Sequence, residues 1–326
     1  MDQGRPPLIF AMSENAPTLS IVIPLYRSEA TIERVVGELA ALPVEGGLEI
    51  VLVNDCSPDN TLEACRRIMA SCPVPVTVVS HARNFGEHNA VMAGLRHTRG
   101  RWVVTMDDDG QNPPSEVPKL LEAAQRGGHD VVFGDYSAGK EHAAWRNWGS
   151  RFTNAMAGWL LEKPHGLYLS SFRCLSRFIV DEIVRYEGPY PYIDGLILQS
   201  TRAVTAICVA HKPREQGRSG YNLRRLVRLW LNMFTSFSVA PLRAATVLGL
   251  VLSALGMVGL VFVVYLYFTE RGPEFGWGSL MTALLVFSGA QLVLLGVIGE
   301  YLGRSYLTTN RRPQSVVREV WRGGRS

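Results

Sequence analysis

The sequence predicts an α/β fold built on a mostly parallel sheet, followed by an interfacial amphipathic helix and a two-helix transmembrane hairpin. Three observations predict it. In the N-terminal half, short apolar runs alternate with segments of helical spacing, as strand–helix–strand units do. Polar, acid-rich loops follow successive strands, at the carboxyl ends where such sheets bind ligands. Toward the C-terminus, Ala244–Phe268 and Gly276–Gly299 contain no charged residue. At ~1.5 Å per residue each is longer than the ~30 Å hydrocarbon core of a bilayer.

Taken in order, residues 1–17 are polar and Pro-rich and read as a flexible arm with no signal peptide. Leu19–Pro24 is the first strand, and Thr31–Leu42 a helix with Ile32, Val35, Val36 and Leu39 on one face. Leu48–Val53 is the second strand; the acceptor-rich loop Asn54–Thr61 caps the next helix. Val76–Val79 is the third strand, Gly86–Arg96 a helix, Trp102–Met106 the fourth strand and Val131–Gly134 the fifth. Pro113-Pro114 ends the fourth strand's loop, with Ser115 a suitable N-cap and Glu116 favourable in the first turn of a helix. No GxGxxG follows the first strand, so a dinucleotide site of that type is excluded.

The chain has 326 residues, enough for one or two domains with a real core, and a net charge of only +4, which leaves no global nucleic-acid footprint. Its five cysteines have neither metal-ligand spacing nor a paired framework and read as reduced, cytosol-facing residues. No histidine array of the HExxH kind occurs.

The chemistry concentrates at Met106-Asp107-Asp108-Asp109-Gly110-Gln111-Asn112-Pro113-Pro114. Three acids at the end of a buried strand repel one another and lose solvent, a cost that a bound divalent cation would relieve. A solvated acidic turn is the plain alternative. Two further loops, at Pro24-Leu25-Tyr26 and Asn54-Asp55, fall at the same ends of the sheet. Tyr26 suits stacking on a base, Asp55 suits a base N–H or ribose hydroxyl, and Asp107 and Asp109 suit a metal held against a diphosphate. Together they describe a nucleotide-sugar site.

Ile21–Tyr26, Val53–Asp59, the run Arg83-Asn84-Phe85-Gly86 through Ala93-Gly94-Leu95, and Asp107–Pro114 resemble the family 2 glycosyltransferases of the GT-A, Rossmann-like fold. Within them they resemble the polyprenyl-phosphate branch: dolichol-phosphate-mannose-synthase-like enzymes, bactoprenol glucosyltransferases and undecaprenyl-phosphate aminoarabinose transferases. The likeness runs over roughly residues 18 to 320 and includes the Gly-Glu-Tyr-x-Gly-Arg pattern at Gly299–Arg304. It implies Mg²⁺ or Mn²⁺ as cofactor, a UDP-sugar donor, a polyprenyl phosphate acceptor, and an enzyme that inverts, sits among membrane lipid and forms a homo-oligomer. By position, Asp107, Asp109 and Gln111 would form the metal shell. Pro24, Tyr26, Asn54, Asp55, Arg83 and Asp108 would meet the donor, with Arg83 alternatively an ion pair that only stiffens its loop.

Two departures stand out. Ser170-Ser171 occupies a place where relatives carry an acid, and Arg27-Ser28 one where they carry Asn-Glu. With that acid gone, Asp194 joins Asp107 and Asp109 as a catalytic candidate, or else it caps a helix. A phosphate acceptor is already an anion at neutral pH and needs alignment more than a base. Arg173, Arg202, Arg214 and Arg218 are candidates to grip it, or are solvated surface residues. Glu215–Asn222 reads as a lid, and the aromatic-rich stretch His142–Glu162 as a core-facing or interfacial helix.

The expected organisation is thus a catalytic domain over residues 18–221, an interfacial amphipathic helix over 222–243, spans over 244–268 and 276–299, and a basic tail over 300–326. Arginines on both flanks of the hairpin place its ends, both termini and the catalytic domain on the cytoplasmic side of the inner membrane. The rivals are the same donor chemistry on a hydroxyl acceptor, and a non-enzymatic nucleotide-sugar-binding membrane scaffold.

Overall fold

The computed structural model describes residues 16–136, 164, 167–188, 190–210, 240–269, 277–310 and 313–323. It divides into two compact units, one of residues 1–220 with 312–326 and one of residues 221–311.

The first unit is built on an eight-stranded mixed sheet in the order β7-β5-β6-β4-β1-β2-β3-β8. The strands are β1 (Leu19–Leu25), β2 (Leu48–Asn54), β3 (Val76–His81), β4 (Trp102–Thr105), β5 (Val131–Asp135), β6 (Arg173–Ser176), β7 (Val204–Cys208) and β8 (Val317–Gly323). The five apolar runs named above are β1 to β5, each within two residues of its expected bounds. The central strands pair in parallel: β1 with β2 and β4, and β2 with β3. β6 runs antiparallel between β4 and β5, and β8 antiparallel against β3.

Both faces of the sheet are covered, which is why β2 is buried along its whole length. On one face α1 (Ile32–Ala40), α2 (Thr61–Ser71) and α4 (Val117–Gly127) pack on Leu19, Ile21, Ile23, Ile50 and Leu52. α1 buries Ile32, Val35, Val36 and Leu39, the face its spacing marks. On the other face α3 (Glu87–Leu95) lies close to β1 and β2. The contact point is Gly94, where a Cβ would come within 2.4 Å of Val22 and 3.0 Å of Val53. Two shorter helices, α5 (Arg177–Ile183) and α6 (Ile193–Ser200), follow β6.

The loop before α2 supplies its acceptor through Asp59, which accepts from the Thr61 amide (3.3 Å), while Asn60 makes no side-chain cap. One helix start differs from expectation. Ser115 does not cap α4, because Pro114–Glu116 forms a 3-10 turn and the helix begins at Val117. Glu116 is buried there and accepts from Lys119 at 2.7 and 2.8 Å.

The second unit contains α7 (Ala240–Phe268) and α8 (Trp277–Thr309), of 29 and 33 residues. Large apolar side chains such as Leu250, Val258, Phe262, Leu292 and Leu295 are exposed along them. Among the described residues one stretch, Val286–Thr309, is long and apolar enough to cross a membrane; the apolar part of α7, Ala245–Gly259, is shorter.

The stretch expected as a basic tail over 300–326 contains regular structure. α8 runs on to Thr309, and Val317–Gly323 is a strand of the sheet. Its Trp321 packs on the core and stacks under Arg66 (4.9 Å to the ring centroid), so the tail is fastened by burial as well as by the β3 ladder. The expected interfacial helix over 222–243 lies outside the described residues except for Ala240–Arg243, which open α7; the aromatic-rich stretch 142–162 lies outside them altogether.

Candidate active site

The carboxyl ends of β1, β2, β3 and β4 and the amino end of antiparallel β6 share one edge of the sheet. Every loop there carries polar residues. Among the described residues two non-glycine residues have left-handed backbone, Arg27 (φ 61°) and Cys56 (φ 54°), and they stand just beyond β1 and β2. Such conformations persist only where surroundings hold them, and they concentrate at functional loops. Here the Ser57 hydroxyl accepts from the Arg27 amide (3.2 Å), the Asn54 side chain accepts from the Ser57 amide (3.2 Å), and the Thr61 hydroxyl accepts from the Ser28 amide (2.9 Å).

Asp55 is buried at the start of the second loop. One carboxylate oxygen accepts from the Phe85 amide (2.9 Å) and meets His81 Nδ1 (2.8 Å); the other accepts from the Gly86 amide (2.8 Å). It thereby fastens the Arg83–Gly86 turn to the end of β2. Gly86 sits at φ 91°, a conformation that admits glycine, and α3 begins at the next residue. Asp55 therefore positions a loop at the carboxyl ends of the central strands.

Tyr26 is 48% exposed, with the Arg27 guanidinium over its ring at 5.6 Å from the centroid. Arg83 is exposed over the Phe85 ring (4.6 Å). Pro24 is part of β1, and Asn54 is buried, with its side chain accepting from the Ser57 amide.

The acidic loop follows β4. The Asp107 carboxyl is pushed up to about 6, first by loss of solvent and then by Glu87, with the Ser171 hydroxyl pulling the other way. Ser171 Oγ donates to Asp107 Oδ2 at 2.6 Å. A serine in the position noted above as lacking an acid thus holds the first aspartate and spares the cluster another charge. Asp108 is also pushed up to about 6, mainly by loss of solvent. Asp109 accepts from the Gln111 amide (3.1 Å), which curls the loop around Gly110 (φ 72°).

Glu87 is a member of this cluster that sequence reasoning missed. It is the first residue of α3 and is open to solvent, yet protein crowds its carboxyl. That loss of solvent raises its pKa, with Arg173 opposing and Asp194, Asp108 and Asp109 adding to the rise. An acid opening a helix directly after the Asp55-anchored glycine was the available signal.

Arg173 and Asp194 form a buried ion pair, and Arg173 Nε also donates to Thr105 Oγ1 (3.2 Å). This corrects two expectations. Arg173 is only 2% exposed and committed to Asp194, so it is not free to grip a phosphate. Asp194 does not cap α6, whose N-cap is Tyr192. It lies in the first turn, electrostatically joined to Glu87 and to His88, whose imidazole burial holds below its ordinary value. The His88 and Tyr192 rings meet edge-on, with centroids 5.4 Å apart.

Arg202 is corrected as well. It precedes β7, which runs parallel to β5 and so begins at the opposite edge of the sheet. At ~3.3 Å per residue that is about 15 Å from the carboxyl ends, and Arg202 is exposed there. Arg214 and Arg218, and the expected lid over 215–222, lie outside the described residues.

Among the described residues no group of three or more His, Cys, Asp or Glu side chains is arranged as a metal site. The donor set still fits a hard cation: all-oxygen ligands on one short loop, with two carboxyls whose ionised forms are disfavoured as they stand.

The acidic loop thus stands at the carboxyl ends of the central strands of a mixed, mostly parallel α/β sheet. The family model described as "Glycosyl transferase family 2" matches residues 20–183. The chain is 33% identical over 312 residues to an undecaprenyl-phosphate 4-deoxy-4-formamido-L-arabinose transferase of Pseudomonas savastanoi pv. phaseolicola, covering 93% of this chain and 91% of that one. It is 34% identical to a protein of the same name from Yersinia pestis, covering 95% and 96%. The chain belongs to glycosyl transferase family 2 and is a glycosyltransferase. The structure also overlays on glucosyl-3-phosphoglycerate synthase from Mycobacterium tuberculosis in complex with Mn²⁺, UDP and phosphoglyceric acid, at TM-score 0.49 and 22% identity over 67% of this chain and 76% of that one. That likeness is too distant to speak for the ligands of this chain.

Proposed function

We propose that the protein transfers a single sugar, with inversion, from a UDP-sugar to undecaprenyl phosphate on the cytoplasmic face of the membrane. The observation that carries this reading is the desolvated acidic loop Asp107–Asp109, in a chain that matches undecaprenyl-phosphate sugar transferases over nearly its whole length. Asp107 and Asp109, with Gln111, would hold Mg²⁺ or Mn²⁺, which when bound would neutralise the donor diphosphate and ease its departure. Tyr26 stacks on the uracil, while Asn54 and Asp55 keep the loops around it in place. Arg83, exposed at the same edge, meets the diphosphate.

On the acceptor side an anionic phosphate oxygen attacks the anomeric carbon as its bond to UDP breaks. No proton has to be removed, which suits a site where Ser171 stands instead of an acid and where Asp194 is engaged by Arg173. Asp194 then orients Arg173 and balances its charge. Arg214 and Arg218 remain the candidates for holding the acceptor phosphate. α7 and α8 form an antiparallel membrane hairpin, with the arginines around it cytoplasmic and the enzyme assembled as a homo-oligomer.

The test is transfer from a panel of UDP-sugars to undecaprenyl phosphate in detergent, with Mg²⁺ or Mn²⁺ and with chelator. A metal-dependent, acid-labile glycolipid that disappears in Asp109→Ala is expected. UDP release without glycolipid would transfer the reading to another acceptor. Neither donor binding nor UDP release would leave a non-catalytic scaffold.

A further inference from the structure

Gln314 is buried, and it follows the end of α8 by five residues (314 − 309). Its amide has the right donor or acceptor for each of three partners. Oε1 accepts from Arg96 Nη2 (2.7 Å), and Nε2 donates to the carbonyls of Tyr186 (2.6 Å) and Gly188 (2.8 Å). Those partners lie 126 to 218 residues away in sequence. Two residues further on, the Val316 carbonyl accepts from the Ala82 amide (2.9 Å), so the segment is held from its far side too.

The partners sit at telling places. Arg96 is the C-cap of α3, the helix whose first turn carries Glu87 and His88. Tyr186 and Gly188 belong to the turn after α5, from which the chain runs in six residues (194 − 188) to Asp194. The turn is close-folded: a Cβ at Gly188 would come within 2.3 Å of the Tyr186 hydroxyl oxygen. At the site end the same two elements meet again through the His88–Tyr192 ring contact. Gln314 and that ring pair therefore close a loop around the α3–α6 junction, one at each end.

We infer that Gln314 is a positioning residue for the reaction: by tying the 186–188 turn to the end of α3, it sets where Tyr192, Asp194 and Arg173 stand beside the acidic loop. A buried polar side chain with both its N–H donors used is costly to break, most of all at the buried Gly188 carbonyl, which would be left without its partner. The geometry of this inference is independent of the acceptor; its effect on catalysis rests on the reading that the acceptor is aligned on the Asp194 side.

Two variants separate tethering from positioning. Gln314→Glu keeps an acceptor for Arg96, strengthened by charge, but supplies no donor for Tyr186 and Gly188. Gln314→Met removes all three bonds at nearly constant volume. In full-length protein in detergent, hydrogen–deuterium exchange of residues 186–198 is expected to speed up in both variants while β1 to β4 are unchanged. Transfer to undecaprenyl phosphate should lose about ten- to hundredfold in kcat/KM for the acceptor, the scale of a displaced reacting group. UDP affinity should stay within about twofold of wild type, since uniform binding is untouched. Unchanged exchange in Gln314→Glu overturns the inference. So does a loss that falls equally on UDP affinity and on the acceptor step, which is what a general loss of fold would give. If the wild-type enzyme transfers nothing to undecaprenyl phosphate, the acceptor reading falls and the exchange result alone decides the positioning role.

Discussion

The acidic loop makes a prediction that runs against the usual direction of active-site mutations: Asp107→Asn should stabilise the metal-free protein while abolishing transfer. The Asp107 carboxyl stands at about 6 against an ordinary 3.8, chiefly from loss of solvent. A folded-state value above the unfolded one means that the native state prefers the proton. Below the unfolded value the group costs nothing; its penalty builds as pH rises from the unfolded value of 3.8 to the folded value of about 6 and is complete at neutral pH. At ~1.4 kcal/mol per tenfold in proton affinity the difference is roughly 3 kcal/mol, which partial exposure and coupling to Glu87 reduce to about 1–2 kcal/mol. Asparagine removes the charge yet still accepts from Ser171 Oγ. For a domain of this size, 2–4 °C per kcal/mol gives an expected rise in Tm of about 2–8 °C at pH 7.5 in chelator. The assay is thermal unfolding by intrinsic fluorescence in detergent at pH 7.5 and pH 5. At pH 5 the unfolded carboxyl is still ionised, so the gap should shrink to roughly half, and it should close only below about pH 3.8. Added Mn²⁺ should raise the Tm of wild type more than that of the variant, because only a state that binds the ion gains from it. A variant less stable than wild type in chelator at pH 7.5, or a gap that ignores pH, would refute the electrostatic argument.

Three further predictions follow from the same geometry. Removing one partner of the buried Arg173–Asp194 pair should cost about 3–5 kcal/mol, so Arg173→Met should lower the denaturation midpoint sharply, and the double variant Arg173→Met/Asp194→Leu should recover most of the loss. Ser171→Ala removes a hydrogen bond that favours ionised Asp107, so the acid limb of the pH–rate profile should move to higher pH, with the alkaline limb unmoved. Deleting Val317–Gly323 uncovers the β3 edge and the surface under Trp321; the truncated protein should unfold at lower denaturant and aggregate through that edge, seen as a scattering increase on mild heating.

The ligand edge of the sheet was legible because each feature that marks it is local. An apolar run ending in Asp107-Asp108-Asp109 carries its own strand, its own turn and its own charge density, and no distant residue has to be known. The same holds for β1 to β3 and the helix faces between them. What the sequence does not display is pairing across distance. β8 reads Val-Arg-Glu-Val-Trp-Arg-Gly, polar enough for a tail, because an edge strand buries only one side and its partner β3 lies far back along the chain. Arg173 has the right chemistry for a phosphate, and only the fold brings Asp194 against it. Arg202 was misplaced for a related reason. Its loop looks equivalent to the others until the parallel register of β7 on β5 puts it at the wrong end.

Glu87 and Gln314 are the two residues whose roles differ most from their appearance, and they fail to stand out for opposite reasons. Glu87 lies inside a recognised run, but reading a run as a pattern hides what a single position in it contributes. At the first turn of α3 a carboxylate is favoured by the helix dipole, which offsets part of the repulsion from Asp108 and Asp109. That offset lets the chain keep another acid near the aspartates, and a bound cation would then remove the remaining cost. Gln314 lies in a segment with no local signature at all. It bonds three groups at once, and such complementarity exists only once the turn after α5 and the end of α3 have met. Local charge thus marks the acidic loop in the sequence, while the packing of the turn after α5 on α3 depends on long-range hydrogen bonds that no local pattern displays.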